Sequence, residues 1–292
     1  MIIQGATIYG GKIYDAPDAL FSFSTFTFTN ANSYGNIGPT LSNCISTYNT
    51  VSNPWLTDTA NFNMLRQGYQ LWTVPSTGTY TIRAAGASAG YQPNAPYRYN
   101  QLTSGYCNGA VIEVGNVSLT KGDKLQIAVG QQGGVNGNVS GGGGGASWVC
   151  MYTGNTNTAG DFIMVAGGGG APNNANGNLL INTWRANSNA SFGTLGNVAA
   201  DPGGQGGNLT VVSGNTYPYT GGRNTVWTAG GAGWYANSPD SSQGVSGGGG
   251  AQSFLNGLQG GHSAPGTYGN IYSGTYAAVG GFGGGGGTHG NS

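Results

Sequence analysis

"GGGGGASWVCMYTGNTNTAGDFIMVAGGGGAP", residues 141–172, decides how this chain is read. Two pure glycine runs enclose two bulky apolar segments, SWVCMY and FIMVA, joined by the polar loop TGNTNTAGD. Glycine loses more conformational freedom on folding than any other residue. A flexible linker has no use for Trp148, Val149, Phe162, Ile163 and Val165 as neighbours, and an ordinary apolar core has no use for the glycines. The two apolar segments read as a pair of short strands. The glycines need a second explanation.

They recur in clusters at 141–145, 167–170, 203–207 (with Gln205 inside), 247–250 and 280–287 (with Phe282 inside). There is no G-X-Y period and prolines number only 11, which excludes collagen. A flexible linker is the usual meaning of a glycine tract, but strand-like apolar segments abut these runs. A packed reading accounts for both. A polyproline-II-like helix makes no internal hydrogen bonds, and buried backbone groups must find partners. Several such helices side by side can satisfy one another if no side chain keeps them apart, which only glycine permits. Five glycines at about 3.1 Å rise span roughly 15 Å. Gly141, Gly143, Gly145, Gly167, Gly169, Gly248, Gly283 and Gly285 are the expected members of such a bundle.

Working outward, nearly everything periodic has period two. FSFSTFTFT (21–29) alternates with a phase slip between Phe23 and Phe26, which suggests a bulge. TGTYTIRAAGAS (77–88) alternates Tyr80, Ile82 and Ala84 against Thr79, Thr81 and Arg83. GAVIEVGNVSLTKGDKLQIAVGQQG (109–133) reads as two or three strands with KGD at a turn, and AQSFL (251–255) as one more. TDTANFNMLRQG (57–68) is the best helix candidate, capped by Thr57 or Asp58 and stopped by Gly68. Short strands with turn signals predict an all-β fold, a β-sandwich or jelly roll.

Composition narrows the function classes. With 9 Phe, 6 Trp and 17 Tyr the chain has material for a core, unlike disordered glycine-rich chains. Eight basic and eight acidic residues cancel, so no phosphate-tracking surface and no nucleic-acid partner are expected. Near-zero net charge on a neutral polar surface favours association, which suits repeated copies in an assembly. The first residues lack a basic and a long apolar region, so no secretory leader is expected. No apolar run approaches the roughly 20 residues of a membrane helix. Cys44, Cys107 and Cys150 are odd in number and too few for a disulfide framework. They read as small buried thiols, or as one disulfide with a spare thiol.

GYQLWTVPSTGTYTI (68–82), KGDKLQIAVGQQG (121–133), GGGGGASWV (141–149), IMVAGGGGA (163–171), GGHSAPG (260–266) and GGFGGGGG (280–287) occur in that order. Together with GPTLSNCISTY (38–48), they resemble the glycine-rich extracellular domain of the anaplastic lymphoma kinase and leukocyte tyrosine kinase receptors, over roughly residues 21–290. The resemblance implies a jelly-roll-like, tumour-necrosis-factor-like β-sandwich with an inserted polyglycine-II helix bundle. Ala264 stands where the receptors carry a cysteine, and the chain contains no kinase and no membrane span, so signalling is not carried over. Similar glycine-rich modules occur in virus-encoded proteins, and such bundles resemble the tips of phage long-tail-fibre adhesins, where they hold variable loops. That company implies a virion protein made in a host cytoplasm, most readily a receptor-binding or fibre-type component. A capsid decoration without receptor role and an extracellular ligand-binding module are the alternatives.

Residues 1–20 lie outside the resemblance, the remainder (21–292) forming the glycine-rich domain. Gly10-Gly11 between two β-like runs suggests a hairpin. Residues 1–20 could dock on other virion proteins by strand addition, or supply an extra strand of the same sandwich.

No catalytic constellation emerges and no cofactor is implied. GASAG (86–90) matches the G-x-S-x-G nucleophile elbow in letters, but YQPNAPYRYN follows where that motif needs a helix. His262 and His289 stand alone, without the spacing of a metal site, and His262 reads as a polar cap on the bundle. Glu113 is the sole glutamate, which leaves no evident carboxylate pair. Binding is better supplied. Aromatics among amides and hydroxyls give large contact area at low entropy cost. Four loops carry them: 91–100 with Tyr91, Tyr97, Arg98 and Tyr99; 181–189 with Trp184 and Arg185; 215–224 with Tyr217, Tyr219 and Arg223; and 233–240 with Trp234 and Tyr235. A host surface glycan or protein is the expected ligand. The same aromatics could instead cover the bundle or fill subunit contacts.

Overall fold

The computed structural model describes residues 5–10, 18–90, 108–136, 140–154, 162–170, 209–212, 215–218, 231–232, 237–238, 249–262 and 279–287. Alternation along the chain is converted directly into two antiparallel sheets, so the fold is all-β. One sheet has the order β2 (Thr25–Phe28), β1 (Gly5–Gly10), β5 (Gly78–Ala85), β6 (Val111–Leu119). The other has the order β11 (Phe162–Ala166), β10 (Ser147–Met151), β7 (Lys124–Ala128), β4 (Tyr69–Thr73), β3 (Phe62–Arg66). Because strand side chains alternate between faces, Ala6, Ile8, Phe26, Phe28, Tyr80, Ile82 and Ala84 point one way. They join Phe62, Trp72, Leu125, Ile127 and Val149 of the other sheet in a single apolar cluster. Phe23, Phe28 and Tyr80 meet the ring of Trp72 at 5.0, 6.3 and 6.0 Å between centroids. Each fully buried side chain of this size contributes about 1.5–3 kcal/mol.

Three expectations are corrected. TDTANFNMLRQG is not a helix: Asp58 closes a turn by accepting from the Ala60 and Asn61 amides, and β3 follows, with Phe62 paired to Trp72. The helix, α1 (Leu41–Thr47), lies earlier, where the Thr40 side chain caps the Asn43 amide at 3.2 Å. The slip in FSFSTFTFT is not a bulge; the strand begins after it, at Thr25, while Phe21 and Phe23 pack against the core from the preceding segment. AQSFL is no strand either, since residues 254–257 turn and send Phe254 into a second apolar cluster.

β1 lies between β2 and β5, paired to both over Ala6–Tyr9. It is thus an inner strand of the sandwich. Residues 11–17, the second half of the hairpin expected across Gly10-Gly11, lie outside the described residues.

The glycines extend the sheets lengthwise. β5 runs on into 86–90, β7 into 130–134 and β11 into 167–170, while 141–146 leads into β10. The central segment, 141–146, donates in directions that repeat every third residue. Gly142 and Gly145 bond to the carbonyls of Gly134 and Gln131, Gly143 and Ala146 to those of Gly286 and Gly283, and Gly144 to that of Gly169, at 2.8–3.0 Å. Its carbonyls accept from Gly90, Gly281 and Ala87. One backbone is therefore hydrogen-bonded to four neighbouring segments, where a strand has two. That arrangement demands close approach. A Cβ at Gly145 would fall within 3.0 Å of the Phe282 carbonyl oxygen, and one at Gly142 within 3.0 Å of that of Val279. Gly143 has more room, its nearest neighbour being the Gly286 nitrogen at 3.3 Å. Gly248 lies outside the described residues.

Phe282 ties this layer to the sandwich. It is 1% exposed in the second cluster with Tyr69, Trp148, Cys150, Phe254 and Leu258. Its ring lies over Gly38 and Gly68, where a Cβ would strike it. Gly68 also holds φ +87°, a left-handed conformation suited to glycine.

Candidate functional site

The glycine layer has two ends. Gly86, Gly130, Ala146 and Gly167 adjoin the sheets. Gly90, Gly134, Gly141 and Val279 form the far end. There Gly90 donates to Gly142 at 2.9 Å, Gly134 to Val279 at 2.7 Å, and a Cβ on Gly141 would meet the Gly90 carbonyl. A small antiparallel ribbon of β8 (Val135–Asn136) and β9 (Ser140–Gly141) caps it. Gly90 is the last described residue before the 91–100 loop, and Gly170 the last before the segment that carries Trp184 and Arg185. The 91–100 loop therefore leaves from a stem fixed at the far end of the hydrogen-bonded layer, and the chain that leads toward Trp184 leaves the same layer after Gly169, which is bonded to Ala87 and Gly144.

Tyr91, Tyr97, Arg98, Tyr99, Trp184, Arg185, Tyr219, Arg223, Trp234 and Tyr235 lie outside the described residues. Tyr217 is in β13 (Asn215–Pro218), which pairs with β12 (Leu209–Val212) and places Tyr217 opposite Thr210. The first part of the 215–224 loop is thus a strand. The stem of the 233–240 loop, Ala232, is bonded to Gly284 at 2.8 Å.

GASAG is one of the layer's segments and not an elbow. Gly86 bonds to Ala110, Ala87 to Gly145 and Gly90 to Gly142, while Ser88 accepts from Gly133. Residues 86–90 form no helix, and those that follow, 91–107, lie outside the described residues. His262 is exposed, with its carbonyl bonded to the Gly249 amide at 2.7 Å, and His289 lies outside the described residues. Among the described residues no three His, Cys, Asp or Glu side chains group to hold a metal ion. No described helix is long and apolar enough to cross a membrane.

Burial governs the remaining titratable groups. Cys44 is the fully buried residue of α1, and desolvation pushes its thiol up to about 12. Burial also raises Cys150, Tyr48 and Tyr69. Tyr48 donates to Gln70 at 2.5 Å and receives the Thr29 amide at 2.9 Å, tying α1 to the five-stranded sheet. These groups are held neutral for packing. Cys44 and Cys150 are free thiols; Cys107 lies outside the described residues.

What sequence reading passed over is the outward face of the four-stranded sheet. Thr25, Tyr9 and Thr81 stand side by side in register, and so do Thr27, Thr7, Arg83 and Glu113. The signal was available in the alternation of threonine with apolar residues in TFTF and TYTI. No protein-family model matches the chain.

Proposed function

We propose that this chain is a virion structural protein displayed on a viral or phage particle, of the receptor-binding or fibre type. In this reading the sandwich is jelly-roll-like and the glycine layer is a bundle of polyglycine-II helices. The threefold repeat of hydrogen-bond directions along 142–146 supports the latter, since such a helix has three residues per turn. The observation that carries the functional reading is the anchoring of loop stems in the layer. Gly90, stem of the 91–100 loop rich in Tyr and Arg, is fixed there by its bond to Gly142, and Gly169, which precedes the segment carrying Trp184 and Arg185, is bonded to Ala87 and Gly144, all through backbone alone. A scaffold held by backbone alone leaves loop sequence free to vary, which is what recognition of a changing host surface needs. Neutrality and the scarcity of charge suit repeated copies in an assembly. Docking on the parent particle through residues 1–20 would have to use residues flanking β1, whose own edges are both paired.

Immunogold labelling of candidate parent particles, with antibody raised against the purified chain, tests the reading. Label at fibre or tail tips is the expected result. Label spread evenly over a shell would replace attachment with capsid decoration. Absence of label from every particle would end the virion reading and favour an extracellular module like the receptor domain it resembles.

A further inference from the structure

The outward face of the four-stranded sheet carries an unused set of recognition groups. Tyr9 is 39% exposed on an inner strand, with Thr25 and Thr81 as its register partners on either side. One row along, Arg83 and Glu113 are direct partners and both exposed, yet no ion pair joins them. Beside Thr81 the register of β5 and β6 shifts, and Asn116 adopts φ +58° on the exposed edge. Gly115 leaves a notch at this bulge. A side chain there would begin 3.8 Å from the Thr81 hydroxyl, with nothing closer. Bulges that re-aim side chains gather at functional positions.

Size and chemistry select the occupant. With strands about 4.8 Å apart and same-face rows about 6.8 Å apart, two rows across four strands offer a patch of roughly 260 Å². That is about a third of what each partner contributes to a standard protein–protein interface. It suits one or two sugar rings. The patch is neutral, because Arg83 and Glu113 cancel, so it has no reason to prefer a phosphate. Threonine hydroxyls both donate and accept, guanidinium only donates and carboxylate only accepts. An aromatic ring supplies an apolar face beside them. A polyol ring, with apolar C–H faces and a rim of hydroxyls, satisfies every one of these groups.

We propose that this face binds a neutral saccharide, with Tyr9 as the stacking platform, Thr81, Arg83 and Glu113 bonding its hydroxyls, and the Gly115 notch admitting its edge. The inference deepens the attachment reading by naming a ligand class and a site built from residues other than those of the nominated loops. It is measured on the isolated chain, so its failure leaves the particle labelling untouched.

The test is NMR titration of the ¹⁵N-labelled full chain with glucose, galactose, N-acetylglucosamine, lactose and maltose in turn. At least one sugar is expected to give saturable shifts in the amides of Tyr9, Thr81, Arg83, Gly115 and Asn116. Tyr9→Ala removes the platform, and Gly115→Val fills the notch without a clash. Each should weaken binding about tenfold or more at unchanged thermal stability. Shifts confined to other residues, or undiminished binding in both variants, would overturn the proposal. So would no shift with any of the sugars. Concentration-dependent broadening of these same amides without sugar would overturn it too, and assign the face to a second copy of the chain.

Discussion

At the scale of single residues, the glycine layer is held by distances that one methyl group would break. A Cβ on Gly145 would lie inside van der Waals contact of the Phe282 carbonyl, and backbone cannot swing aside as a flexible side chain can. Gly145→Ala should therefore cost about 3 kcal/mol, near the upper end for overpacking, and lower the melting temperature by roughly 6–12 °C. Gly143→Ala meets the Gly286 nitrogen only at 3.3 Å, a gap that closes with a shift of a few tenths of an ångström. It should cost under about 1.5 kcal/mol, so thermal melts of the two variants should separate clearly; equal melts would count against the layer's packing. The buried thiols and phenols set a different limit. Below their ordinary pKa values they are neutral in both folded and unfolded chain, and pH does nothing through them. Above about 9 the unfolded chain ionises at Cys44 while the folded chain, with the thiol pushed up to about 12, does not. The unfolded state then binds fewer protons, and stability falls by about 1.4 kcal/mol per pH unit for each such group. Cys150 adds to the fall from the same pH, Tyr48 and Tyr69 from about pH 10. Urea midpoints should be level from about pH 6 to 8 and drop steeply by about pH 10.5. Iodoacetamide at about pH 8 should leave Cys44 and Cys150 unmodified in the native chain and label both in urea, as peptide mass mapping would read.

At the scale of elements, the contrast between strand and glycine segment is measurable. An edge strand bonds its amides alternately to a neighbour and to water, and β6 is an edge in the described sheet. The amides of 142–146 are bonded at every position, each to another segment. Hydrogen exchange should accordingly be slow at five consecutive amides in the layer and alternate between fast and slow along β6; alternation in 142–146 would mean an ordinary strand. This difference also marks what could be read in the sequence. Period-two alternation in TYTIRAA and KLQIA carries strand, face and core together, because tertiary burial and local pattern agree there. The need for packed backbone at 141–145 was legible for the same kind of reason: SWVCM could not sit beside a flexible tract. TDTANFNMLRQG misled because its cap residues are equally good turn residues, and the apolar partner that makes Phe62 a strand residue, Trp72, sits beyond Gly68. Which segments meet in the layer was not legible. Glycine runs have no side chains to encode register, so the pairings of Gly143 with Gly286 and Gly144 with Gly169 follow from the strands that deliver them. The outward threonine face was legible as alternation, but its bulge at Gly115 and the juxtaposition of Tyr9, Thr81 and Arg83 required the pairing of strands far apart in sequence.

At the scale of the whole molecule, the question is whether the sandwich and the glycine layer are one cooperative unit or two. The connections argue for one. Four chain segments pass from sheet to layer with at most a residue between them, at Ala85–Gly86, Ala128–Gly130, Ala146–Ser147 and Ala166–Gly167. The C-terminal segment 279–287 bonds to residues as distant as Gly35, Gln131, Gly143 and Leu258, and its Phe282 is seated among Tyr69, Trp148 and Phe254. Removing that ring should cost about 3–5 kcal/mol, the usual range for a buried Phe→Ala change. If the unit is single, Phe282→Ala lowers the unfolding midpoint of the entire chain. Amide exchange of Trp72, deep between the sheets, then shifts together with amide exchange of Gly143–Gly145 in the layer. Coincident transitions are the signature of two-state behaviour. If the layer were a separate unit, the variant would release the glycine amides at low urea and leave the Trp72 transition where it was. Coincidence is expected, since a layer so poor in side chains relies on the strands and Phe282 to set its register. If the proposed attachment reading holds, a stem such as Gly90 stays fixed until the whole chain unfolds.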